Sequence, residues 1–167
     1  MNTKILLILF IVIPFTGFLY DEPVITPDDL NILTGKKWTG KLTYLDYSSN
    51  KLVSIPAEVT VLNAEDSDAF IFINGYPDEP KANNTDTVRI EENGKKFGNE
   101  TVTERISETD GILKIITSEE GMDNDKPAVI RHTYIISSTG FTIIKDVRYE
   151  GENNFINRNT CLFERAD

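Results

Sequence analysis

Residues 33–47 read LTGKKWTGKLTYLDY, and the fold follows from how this stretch alternates. From Trp38 onward, Trp38, Gly40, Leu42 and Tyr44 fall on one face of an extended chain. Thr39, Lys41, Thr43 and Leu45 fall on the other. Successive side chains of a strand point to opposite faces, so the pattern specifies a strand with one buried side. Trp38, the only tryptophan of the chain, anchors that side.

The stretches that follow repeat the same pattern. Val53, Ile55, Ala57, Val59 and Val61 alternate with Ser54, Glu58 and Thr60 in a second strand, Lys51 to Asn63. Pro56 inside it points to a sheet edge or a bulge, because proline has no N–H for a ladder. Ala69 to Asn74, AFIFIN, is a third strand, and Val88 and Ile90 mark a fourth. Asn93-Gly94 is a two-residue hairpin signal leading into a fifth strand that runs to Ser107, with Gly98 as a possible bulge. Asp110-Gly111 turns the chain into Ile112 to Ser118, and Glu119 to Lys126 reads as a polar loop. Ala128–Ser137, Phe141–Glu150 and Phe155–Arg165 complete about nine strands with no long helix. The expected fold is all-β: a single antiparallel up-and-down β-barrel of about 8–10 strands, with a β-sandwich as the alternative.

The domain division follows. Lys4 precedes the apolar run Ile5–Ile13, ILLILFIVI, which reads as a secretory signal over residues 1–20. The run is short for a membrane span of roughly 20 residues. An uncleaved anchor extended through Phe18, Leu19 and Tyr20 is the alternative, since no small-x-small cleavage pattern is present. Residues 21–34 read as a linker holding one helical turn at Asp28–Leu30, with Thr26 as its cap and Pro27 at its first position. Residues 35–167 form the barrel domain. Export to a periplasm, a cell envelope or the medium is expected, with membrane contact only through an uncleaved N-terminus.

The net charge of −10 disfavours nucleic acid as a partner, because phosphate binding needs clustered Lys and Arg. The single cysteine, Cys161, allows no intrachain disulfide and no multi-cysteine zinc site. Its strand neighbours make it a small buried hydrophobe.

Trp38 near the start of the first strand and Arg165 at the end of the last carry a resemblance to the calycin superfamily, the lipocalins, fatty-acid-binding proteins and related small barrels. In lipocalins a first-strand tryptophan packs beneath a last-strand arginine and closes the barrel bottom. The resemblance implies that Trp38 and Arg165 form this closure, a guanidinium over an indole face. It also implies a barrel interior that holds a small apolar or amphipathic ligand in a monomeric, non-enzymatic carrier.

The residues nominate the ligand site. A two-residue Ser138-Thr139 turn sets Ile136 opposite Phe141, Tyr134 opposite Ile143 and His132 opposite Lys145, all inward. Arg131 then meets Asp146 on the outside. His132, the only histidine, with Lys145, Tyr134, Phe141, Tyr149 and Asn157, are the candidate ligand-binding residues. Asn157 is included because it shares parity with Phe155, Cys161 and Phe163, whereas Arg148 and Arg158 are placed outside. A buried lysine without a partner is costly, so Lys145 requires a carboxylate, a water-filled cavity or an anionic head group, and an amphipathic acid such as a fatty acid is favoured. No catalytic residue, metal or cofactor is assigned. A single histidine permits a haem axial ligand but no other motif supports one, and zinc usually takes three protein ligands. Two other readings stand beside the carrier. One is an isomerase or hydrolase with His132 as acid or base. The other is a filled barrel serving as a partner-binding module. Asp123-Asn124-Asp125 reads as a solvated turn, and Asn99-Glu100-Thr101 only as a glycosylation pattern.

Overall fold

The structure, a computed structural model, describes residues 22–46 and 48–166. The strands are β1 (Lys36–Asp46), β2 (Lys51–Asn63), β3 (Ala69–Gly75), β4 (Asn84–Glu91), β5 (Lys96–Phe97), β6 (Glu100–Ser107), β7 (Leu113–Asp123), β8 (Lys126–Ile136), β9 (Gly140–Tyr149) and β10 (Ile156–Arg165). Each pairs antiparallel with its neighbours in sequence, and β1 pairs with β10 to close the barrel. The expected up-and-down barrel is what forms. A sandwich would leave β1 and β10 as edges; instead Trp38 lies opposite Arg165 and Tyr44 opposite Asn159 along one ladder. Gly40 makes this seam possible, because a Cβ there would sit 1.9 Å from the carbonyl oxygen of Leu162.

Three local expectations change. The tenth strand comes from a reversal at Gly98-Asn99: Gly98 has φ +61°, and β5 and β6 pair across it, so this is a turn rather than a bulge. The β6 bulge falls between Val102 and Glu104 instead. Asn93-Gly94 is part of a longer connection, because Glu91 pairs with Lys96 and residues 92–94 form a 3-10 turn. The polar stretch after Ser118 continues as strand to Asp123, and Asn124 (φ 50°) and Asp125 (φ 61°) make the two-residue turn to Lys126. Positive φ at both central residues matches the twist of a tight hairpin. Pro56 behaves as expected of an edge, since β3 pairs with β2 only from Glu58 to Asn63.

The stretch expected to be a linker is the floor of the barrel. Ile25, Leu30 and Leu33 are at most 2% exposed and join the core beneath Trp38, Val61 and Phe70. The helical turn α1 (Pro27–Asn31) begins after Thr26, as expected, and the Thr26 N–H donates to Asp29 Oδ2 at 2.9 Å. Asp29 then takes a forked pair from Arg105 of β6, at 2.5 and 3.0 Å, which ties the floor to the wall. The signal or anchor expected over residues 1–20 lies outside the described residues.

Candidate functional site

The β8–β9 hairpin positions the site. Ser137 donates its N–H to the Gly140 carbonyl at 2.9 Å, and its Oγ accepts from the Gly140 N–H at 2.9 Å, which sets the two-residue turn. The register is the one expected: Ile136 opposite Phe141, Tyr134 opposite Ile143, His132 opposite Lys145. On the outer face Arg131 and Asp146 form an ion pair at 2.8 Å.

Above the floor the interior opens into a pocket of about 170 Å³. His132, Tyr134 and Ile143 line it from β8 and β9, Phe72 and Asn74 from β3, Asp86 and Val88 from β4, and Phe97 from β5. The aromatic rings meet edge to face, Phe97 against Tyr134 at 5.5 Å and Phe72 against Phe97 at 6.5 Å between centroids. That arrangement favours rigid, flat walls. Phe141 is 1% exposed and lies in the packed base, edge-on to Trp38 and stacked on Phe163, and the pocket lining does not include it.

His132 has a partner that sequence reading passed over. Its Nδ1 lies 2.7 Å from Glu100 Oε1, and the other Glu100 oxygen accepts from the hydroxyl of the fully buried Thr117. The pKa of the nearby Tyr134 hydroxyl is pushed well above its ordinary range, first by burial and then by the Glu100 charge. Thr117, Glu100 and His132 thus form one connected line, which reaches the pocket at His132. Glu100 reaches it because the Gly98-Asn99 reversal starts β6 beside β7. The sequence signal was available in Gly98, which permits the turn.

Lys145 is also satisfied from within the chain. Its Nζ donates to Asp123 Oδ1 at 3.0 Å, and Tyr149 Oη and Arg158 Nε donate to Asp123 Oδ2, each at 2.8 Å. Asp123 is 6% exposed. Burial pushes its pKa up, but Lys145, Tyr149 and Arg158 together more than offset this and hold it below the usual carboxylate range. The requirement for an anionic head group therefore falls away, and with it the fatty-acid expectation. The reading of Asp123 as part of a solvated turn is corrected by the same contacts. Tyr149 belongs to this cluster, not to the pocket.

Asn157 faces the other way from its expected parity. The β9–β10 register slips between Asn157 and Asn159, so Asn157 pairs with Asp146 and its Nδ2 donates to Asp146 Oδ1 at 3.2 Å on the outer face. The same bulge turns Arg158 inward to Asp123, where sequence parity had placed it outside. Phe155 follows Asn157 outward and carries the Arg131 guanidinium 4.0 Å from its ring centroid.

The closure pair is opposed in register but not stacked. Arg165 is exposed, while the Trp38 indole is fully buried, meets Phe141, and donates its Nε1–H to the Leu33 carbonyl at 3.0 Å. The floor segment covers the indole where an arginine was expected. Burial pushes the Cys161 thiol up to about 11, so it is a protonated, weakly reactive group beside the core. Among the described residues no group of His, Cys, Asp and Glu is arranged to hold a metal ion.

Comparison with known proteins supports the fold. No known family matches the sequence, and no curated protein matches it. The chain is similar in structure to Rv2717c from M. tuberculosis, known from a crystal structure. The two share 12% identity and a TM-score of 0.50 over 87% of this chain and 100% of that one. At this identity the likeness concerns the fold alone.

Proposed function

We propose that this chain is a calycin-like binding barrel, non-enzymatic, which takes a small and mainly apolar molecule with one polar group into its interior. The observation that carries the reading is the pocket of about 170 Å³ in which His132, Asn74 and Asp86 are the polar groups beside Phe72, Phe97, Val88, Ile143 and Tyr134. A filled barrel would have no such space, and ligand sites are typically apolar concavities with a few placed polar groups. The volume is near that of an engineered cavity of about 150 Å³ that binds benzene, so the ligand has on the order of six to eight heavy atoms. A long-chain fatty acid is too large for it. The proposal extends to an exported monomer with no nucleic-acid partner. The apolar run Ile5–Ile13 after Lys4 supports export, and the net charge of −10 supports the exclusion of nucleic acid.

Native mass spectrometry and thermal denaturation test it. A panel of one-ring compounds added to the protein should raise the melting temperature through preferential binding to the folded state. Ile143→Trp, which fills the pocket, should abolish the rise. Absence of any rise in the unmodified protein, with no co-purified small molecule, refutes the binding function.

A further inference from the structure

We propose that the pocket selects a phenol-class ligand, a single aromatic ring bearing a hydroxyl, through a hydrogen bond from that hydroxyl to Nε2 of His132, with Glu100 as the positioning residue. The inference rests on the reading of this pocket as the ligand site.

A carboxylate only accepts hydrogen bonds, so the contact of 2.7 Å from Glu100 to Nδ1 of His132 places the imidazole hydrogen on Nδ1. In the neutral ring Nε2 is then a bare acceptor, the arrangement in which a hydrogen-bonded partner sets the tautomer of a working histidine. Nε2 has no partner among the described residues, and His132 borders the pocket. Glu100 is itself held: Thr117, at 0% exposure, engages its second oxygen, and the side chains of Glu100 and His132 are 14% and 21% exposed. The acceptor is therefore fixed in place before any ligand arrives, and its ordering cost is already met by the fold.

Shape and charge narrow the class further. The edge-to-face rings of Phe72, Phe97 and Tyr134 suit a flat ring, and about 170 Å³ holds one ring and a substituent. Carboxylates are disfavoured because Glu100 lies behind the acceptor and Asp86 stands at the wall. An aromatic hydroxyl supplies the missing donor without a negative charge. Benzene would fill the same space and leave Nε2 unpartnered.

The test uses the full chain, with phenol, benzene and benzoate as probes in calorimetric titration. His132 is the only histidine, so its imidazole gives a single pair of ¹⁵N resonances. The expected result is an Nδ1–H tautomer in the free protein and a shift of the Nε2 resonance with phenol but not with benzene. Phenol should bind about tenfold more tightly than benzene, the scale of one hydrogen bond, and benzoate more weakly than either. His132→Leu should reduce the phenol-to-benzene ratio to about one while benzene still binds. Glu100→Gln should lower phenol affinity and change the tautomer, with benzene unaffected. Equal binding of phenol and benzene, or an Nε2–H tautomer in the free protein, overturns this inference and leaves the pocket reading standing. Failure of all three probes to bind or shift any resonance overturns both. The resonances of the unmodified protein decide the matter even if a variant does not fold.

Discussion

Replacing Asp123 by Asn should destabilise the barrel more than removing either of its cationic partners. Asp123 is 6% exposed, while the side chains of Lys145 and Arg158 are 25% and 13% exposed. Breaking a buried ion pair by deleting one charge typically costs 3–5 kcal/mol, because the remaining charge stays in a poorly solvating place. Two cations are left here, but water reaches Lys145 in part, and asparagine keeps the shape and one acceptor. A cost of about 3 kcal/mol is expected, a fall in melting temperature of about 6–12 °C for a domain of this size. Lys145→Met leaves Asp123 with Arg158 and Tyr149 and should cost only about 1 kcal/mol, the worth of one hydrogen bond. The double variant should cost less than the sum of the two, which exposes their coupling. Urea unfolding followed by the fluorescence of Trp38, the single and fully buried tryptophan, measures all three. The pH dependence has a defined sign. The folded pKa of Asp123 lies below its unfolded value, so its contribution is complete above about pH 3.9 and is lost as the pH falls through the folded value. The gap between wild type and Asp123→Asn should therefore be constant near neutrality and close below about pH 4. A cost under about 0.5 kcal/mol for Asp123→Asn, or a larger cost for Lys145→Met, refutes the account of this cluster.

Two other outcomes follow from the same geometry. Gly40→Ala should destabilise by about 1–3 kcal/mol or prevent closure, because its methyl group would sit 1.9 Å from the Leu162 oxygen; hydrogen exchange of the β1 and β10 amides should rise with it, and unchanged protection would contradict the tight seam. In a spectrophotometric alkaline titration Tyr134 should stay protonated until the protein unfolds, since burial and Glu100 both raise its pKa; ionisation of every tyrosine near pH 10 in the folded state would show the Tyr134 hydroxyl to be open to water.

The period-two alternation around Trp38 was enough to read strands, and short turns between them were enough to read an antiparallel barrel. The β8–β9 register was legible residue by residue, because Ser138-Thr139 leaves one parity that buries Tyr134, Ile136, Phe141 and Ile143 together. That parity placed His132 and Lys145 inside. What it could not reach were interactions that depend on where non-neighbouring strands end. Glu100 meets His132 only because β6 begins after a reversal at Gly98-Asn99, and Asp123 meets Lys145 only because β7 runs on to the Asn124-Asp125 turn. A bulge changes parity without changing composition, so the slip at Asn157 reversed that residue and Arg158 while leaving the strand recognisable. The floor was hidden for a related reason. Ile25, Leu30 and Leu33 are spaced by neither a strand nor a long helix, and their burial is decided by the open end of a barrel that exists only once β1 and β10 have met. Local alternation is written in consecutive residues. The partners of a buried charge and the floor of a barrel are set by closure, which brings together positions that no short stretch of sequence contains.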